Sequence, residues 1–309
     1  FKDSSYTASF MLLSPIVAFA AVMGGEMAIL KATRMIRQAA MSQLFSAVAA
    51  IFVSVPLIWK MRLEGLVPSL VVVSFAGLVI TACYSFKAYP YRLELFSRHV
   101  YSSGVDMIKL GISFTVSSFL SAGAYSIISN WLSGNVNTSA TGVYSISNLL
   151  ISYLGLLVFS AVDSDYFPRL STQYRSNLKI RVLAIRQSEV LLTLVTPLVL
   201  LFFFGIPVFI DIFFPNFKES VPIAQLMAVG LVFKSVTMPV SYISLVKSDS
   251  KVFLMQEFLF DAFLVVAVIG GYKFMGMSGI GAAFALAGLF DWIIVSVIAY
   301  VRYNYCING

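Results

Sequence analysis

Nine long apolar runs separated by short polar connections make up most of the 309 residues. They lie near residues 7–25, 39–59, 65–86, 105–132, 141–162, 189–213, 222–246, 252–273 and 277–302. Each approaches the roughly 20 residues that a helix needs to cross about 30 Å of hydrocarbon. The runs are continuously apolar, without the ten-residue in/out alternation of barrel strands, so they predict helices. Gly205 and Pro207 interrupt the sixth run, which predicts an early end followed by a short interfacial piece. The pattern as a whole is that of an all-α polytopic membrane protein.

Composition agrees: 59% of residues are hydrophobic and 11% charged, and mean hydropathy is +0.90, too little polar surface for a soluble domain of this length. If the spans alternate, fourteen of the 21 basic residues fall on one side, from Lys31, Arg34 and Arg37 to Lys247, Lys251 and Arg302. The other side receives Lys2, Lys60, Arg62, Lys218 and Lys273, while Lys109 and Lys234 lie inside spans. The positive-inside rule then predicts that the first side, with the C-terminus, is cytoplasmic. The net charge of +7 is thus a topology signal, and no nucleic-acid partner is called for. Cys83 and Cys306 both fall toward the reducing side, so no disulfide is expected. His99 is the only histidine and has no ligand-type neighbours at metal spacing, so neither a metal nor another cofactor is expected. Asn137-Thr138-Ser139 has the form of a glycosylation sequon, but in so short a loop it carries little information.

Spans 1–3 and 7–9 follow one plan. A basic turn leads into a span ending at Trp59-Lys60-Met61, with Gly65 opening the next; later, Lys247 and Lys251 lead into a span ending at Tyr272-Lys273-Phe274, followed by Gly276, Gly279 and Gly281. An offset of six spans gives a parallel repeat of six plus six. Three partner spans would then lie upstream of Phe1. Residues 1–104 would be the remainder of a first lobe and residues 105–309 a complete second lobe.

Gly142-Val143-Tyr144-Ser145 opens one span, Phe167-Pro168-Arg169-Leu170-Ser171 follows it, and Gly276-Met277-Ser278-Gly279-Ile280-Gly281-Ala282-Ala283 precedes the last. In that order these segments resemble the polysaccharide transporter (O-antigen flippase) family, part of the superfamily that also holds multidrug and toxic compound extruders and the lipid II flippase. The resemblance covers nearly the whole chain, aligned with family spans four to twelve. It implies a bacterial cytoplasmic-membrane protein of two six-span lobes around a central cavity, working by alternating access. The implied cargo is a lipid-linked oligosaccharide, a sugar chain on a polyprenyl pyrophosphate. Spans 4 and 5 would correspond to the family's seventh and eighth, which line the cavity. On this resemblance the chain would begin at family span four, with family spans one to three expected upstream of Phe1.

Ionisable residues deep in a membrane are functional candidates because burying charge is expensive. Lys234, Glu257, Asp261 and Asp291 qualify, at depths of roughly 18, 8, 14 and 16 Å counted at 1.5 Å per residue. Two roles fit them: ion pairs that fasten spans 7, 8 and 9 together, or an acid that exchanges H⁺ or Na⁺ as the lobes rock. Lys109, near the cytoplasmic end of span 4 and three residues from Asp106, fits either simple snorkelling to the interface or reception of a pyrophosphate. Spans 4 and 5 are rich in hydroxyl and amide groups, among them Ser121, Asn130, Asn148 and Tyr153. Such groups suit a sugar path, although membrane serines also bond to their own helix backbone. Between Asp163 and Gln187, basic residues alternate with apolar ones, as in a helix lying along the inner leaflet among membrane lipids.

No nucleophile elbow, phosphate loop or metal spacing supports an enzyme. Two transport functions remain: a flippase for lipid-linked oligosaccharide and a multidrug or cation exporter of the same fold coupled to H⁺ or Na⁺. A cation exporter calls for surplus acid in its cavity, and the one lysine and many hydroxyls of spans 4 and 5 favour the flippase.

Overall fold

The computed structural model describes residues 5–33, 35–88, 90 and 98–303. Nine α-helices run through them: α1 (Ser5–Ala32), α2 (Ile36–Met61), α3 (Leu66–Ala88), α4 (Arg98–Asn135), α5 (Thr138–Thr172), α6 (Asn177–Phe213), α7 (Ser220–Val246), α8 (Ser250–Met275) and α9 (Met277–Tyr303). All nine are long and apolar enough to span a bilayer. The protein is a multi-pass membrane protein, and every predicted span falls on one helix.

The predicted break in the sixth span does not occur, because α6 continues unbroken to Phe213 with Pro197 and Pro207 inside it. Proline has no N–H to donate, so Pro207 leaves the carbonyl of Phe203, four residues back, without its helical partner. Gln225 of α7 fills the gap, its Nε2 donating to the Phe203 carbonyl oxygen at 2.8 Å. A neighbouring helix thereby restores the backbone bond that water cannot supply in hydrocarbon.

The segment 163–187 also departs from expectation. It forms no separate interfacial helix; it is the end of α5 and the start of α6, joined by a short turn. At 35 and 37 residues, these helices exceed the span of the hydrocarbon by roughly 20 Å. One set of their apolar residues turns inward: Tyr166, Leu170, Ile180 and Ala184 are buried in a cluster with Ile243, Val295 and Ala299, while Leu178 and Val182 stay exposed. Asn137 of the sequon caps α5, its Oδ1 accepting from the Ala140 amide at 2.6 Å.

The chain divides into two compact units, residues 1–97 and 98–309. In the first, α3 packs against both α1 and α2. Gly77 keeps that contact close, since a Cβ there would lie 3.3 Å from Met23 Sδ. In the second, α7 packs most extensively on α9, and also on α6 and α5, while α8 joins α9 to α4. Association in lipid lacks a hydrophobic driving force, so it rests on small residues that let backbones approach. Glycines mark the α8–α9 and α7–α9 approaches. A Cβ on Gly279 would lie 1.9 Å from the Gly271 carbonyl oxygen, one on Gly281 2.9 Å from that of Ile223, and one on Gly288 3.2 Å from Gly230 Cα. Gly276, the single residue between α8 and α9, has φ +63° and ψ −144°, a conformation in effect reserved for glycine.

Where α7 meets α8, Asp249 is clasped by the end of α9. Arg302 Nε and Nη2 donate to its two carboxylate oxygens at 2.8 and 3.1 Å, and Tyr303 Oη donates at 2.9 Å. Arg302 holds the Asp249 carboxyl below its ordinary value of 3.8.

Two outcomes follow. Gly279→Ala should lower the thermal midpoint of the purified protein far more than Gly123→Ala, because nothing lies within 4 Å of a Cβ at Gly123 whereas overpacking a tight contact costs about 1–3 kcal/mol or more. For Asp249, a depressed folded-state value means that its stabilisation is complete above pH 3.8 and is lost as pH falls through the folded-state value. The midpoint difference between wild type and Asp249→Asn, followed from neutral pH downward, should be constant at first and close below about pH 4.

Candidate functional site

Lys234 and Asp291 stand at the midpoints of two 27-residue helices, α7 and α9, one turn beyond the Gly230–Gly288 contact. That close packing brings their side chains together. Lys234 Nζ lies 3.9 Å from Asp291 Oδ2, an ion pair too long for a hydrogen bond. The same Oδ2 accepts from Thr237 Oγ1 at 2.9 Å. On its other side the ammonium sits 5.4 Å from the centre of the Phe260 ring of α8, within cation–π range. Glu257 and Asp261, one turn apart on α8, are within electrostatic reach. Asp261 accepts from Ser121 Oγ of α4 at 3.0 Å, which ties α4 to α8.

Asp261 and Asp291 are each only 6% exposed, whereas the Lys234 side chain is 38% exposed. The exposure has a definite place. Lys234 and Asp291 line a cavity of about 450 Å³ with Ser152, Phe159 and Ser160 of α5, Met227 and Gly230 of α7, Phe260, and Phe284 and Gly288 of α9. It is a mainly apolar pocket with aromatic rings and one charged pair in its lining, the usual make-up of a site for an amphipathic ligand.

Asn130, Asn148 and Tyr153 are not among the residues that line this cavity. Asn130 is exposed on α4 and Asn148 half-buried on α5. Tyr153, 61% exposed, lines a separate groove of about 400 Å³ between α5 and α6, whose other walls are apolar, among them Leu150, Leu157, Leu201 and Phe209. The Lys109 side chain lies outside the described residues. Several hydroxyls of α4 and α5 bond to their own helix: Thr115 to the Gly111 carbonyl at 2.9 Å, Ser118 to that of Phe114 at 2.9 Å, and Ser147 to that of Val143 at 2.9 Å.

Sequence reasoning missed Ser121 and Thr237 as partners of the acids, because a hydroxyl reveals its partner only once the facing helix is known. It also missed Glu26, a carboxylate 8% exposed within unit 1. The first apolar run was ended at residue 25, but α1 continues to Ala32. The segments that carried the family resemblance have packing roles. Tyr144 is buried and stacks on Tyr125, Arg169 Nε pairs with Asp165 at 2.9 Å, and Gly279 and Gly281 admit neighbouring backbones.

No protein-family model matches the chain, and no curated protein does. Among solved structures, the crystal structure of a mutant of the Vibrio cholerae MATE transporter VcmN matches with TM-score 0.80 at 13% identity, over 98% of this chain and 71% of that one. The fold is that of a MATE transporter. At 13% identity the MATE likeness lies in the arrangement of helices. Each site residue on this MATE fold therefore stands on its own geometry.

A buried charge left alone is costlier than a pair removed together. Asp291→Asn should accordingly destabilise the protein more than Lys234→Met/Asp291→Asn. The penalty should fall short of the roughly 3–5 kcal/mol of a fully buried pair, since the lysine side chain is 38% exposed. Thermal unfolding of the two variants beside wild type measures the difference.

Proposed function

We infer that the protein is an exporter of the cytoplasmic membrane that carries a cationic, amphipathic cargo outward by alternating access, coupled to H⁺ or Na⁺. The observation that carries this is the charge at the unit 2 cavity: Asp291, which lines it, pairs with Lys234 at 3.9 Å, and two further acids, Asp261 and Glu257, stand on the neighbouring helix α8. Aromatic rings line the same space, and a ring face attracts a cation much as a carboxylate does, though more weakly. A polar, hydroxyl-lined path was the sequence argument for a sugar cargo, and the self-bonded hydroxyls of α4 and α5 weaken it. The MATE fold likewise favours an exporter over a flippase. The strongly basic face of the connections supports a cytoplasmic C-terminus, and membrane lipids surround the helices.

A lipid-linked oligosaccharide remains the second reading, favoured by the three sequence segments that resemble the polysaccharide transporter family. Proteoliposomes separate the two. With an imposed proton or sodium gradient, the protein should move ethidium or tetraphenylphosphonium, and Asp261→Asn or Asp291→Asn should slow that movement by at least about tenfold, equivalent to about 1.4 kcal/mol. Movement of a polyprenyl-pyrophosphate-linked sugar with the cations left in place would establish the flippase instead.

A further inference from the structure

The role of Lys234 is not exhausted by fastening helices. An ion pair repays its desolvation only when further hydrogen bonds satisfy the charges. Here Nζ donates no hydrogen bond to any described residue, and the single carboxylate in ion-pair range is 3.9 Å away. Asp291 is meanwhile anchored by Thr237. The ammonium is therefore loosely held and its partner firmly held. It sits on a flexible four-carbon stem, partly exposed into the cavity, with a carboxylate on one side and the Phe260 ring on the other. An external monovalent cation would seek the same surroundings.

We propose that Lys234 is a tethered cation that fills the carboxylate end of the unit 2 cavity, and that a cationic ligand binds there by displacing the ammonium from Asp291. The proposal rests on the exporter reading for the identity of the cargo, but the tether itself is tested by binding alone. A lysine in that place excludes a small ion such as Na⁺, which brings no apolar contact to offset the displaced pair. It yields to a larger organic cation, which gains contact with Phe159, Phe260 and Phe284.

The test measures binding to the purified full chain. With ionic strength held constant by N-methyl-D-glucamine chloride, sodium should leave the thermal midpoint of wild type and Lys234→Arg unchanged, and should raise that of Lys234→Met in a saturable way. An equal sodium shift in wild type, or none in Lys234→Met, overturns the proposal. Should Lys234→Met fail to fold, Lys234→Arg still decides. Arginine can meet Asp291 through a two-pronged fork and is harder to displace, so calorimetric titration should show tetraphenylphosphonium binding weakened about tenfold relative to wild type. Unchanged affinity overturns the tether. If tetraphenylphosphonium fails to bind wild type while sodium shifts Lys234→Met, the tether stands and the cationic-cargo reading falls.

Discussion

The close approach of α7 and α9 is the contact on which the rest of unit 2 depends. Gly230 and Gly288 let the two backbones nearly touch, and every neighbouring feature takes its place from that. One and two turns further along α7, Lys234 and Thr237 are set against Asp291. In the other direction Gly281 seats α9 against Ile223 and Leu226 of α7. Ala283, Ala287, Val295 and Ala299 extend the same buried side of α9, so small residues make the approach and larger aliphatic ones fill the remainder. In a lipid solvent this is the available means of specific association: lipid tails compete equally for a leucine, but they cannot compete for a fitted backbone contact.

The same solvent explains the details that sequence patterns misjudged. Gly205 and Pro207 read as a break because in water a freed carbonyl is hydrated and the helix can stop. In hydrocarbon the freed Phe203 carbonyl must be met by protein, and Gln225 meets it, so α6 runs on. The apolar residues between Asp163 and Gln187 suggested a helix floating at the interface. Some of them, Tyr166, Leu170, Ile180 and Ala184, form the inward faces of two helices longer than a bilayer requires and keep a protein core of their own, while Leu178 and Val182 stay exposed.

What could be read in advance follows from what is local. A run of about 20 apolar residues states its own length requirement, so the spans were legible; counting along the helices also set Lys234 and Asp291 at similar levels, and the two side chains lie 3.9 Å apart. The cavity was not legible. Its walls come from α5, α7, α8 and α9, and which faces of those helices meet is decided by glycines whose partners lie elsewhere in the chain. The hydroxyls misled for the reverse reason: Thr115, Ser118 and Ser147 looked available in sequence, yet each has a carbonyl of its own helix within reach. The segments that pointed to a family, around Tyr144 and Gly279, encode packing. They carry information about fold and little about cargo.

A polytopic bundle that needed only to be held together would gain little from three acids and one lysine. Buried ion pairs are poor fasteners, since apolar residues of similar volume often serve as well or better, and α7 and α9 already have their glycine contact. Lys234 and Asp291 also sit at the midpoints of their helices, far from either end, where desolvation is severe, and they line an open volume. An unbalanced, loosely hydrogen-bonded cluster next to a cavity makes sense if its occupancy changes. A neutral cluster would bind no ion, while a tightly paired one would bind permanently and release nothing. Surplus carboxylate with one loosely held ammonium lies between these limits, as the exporter proposed above would require.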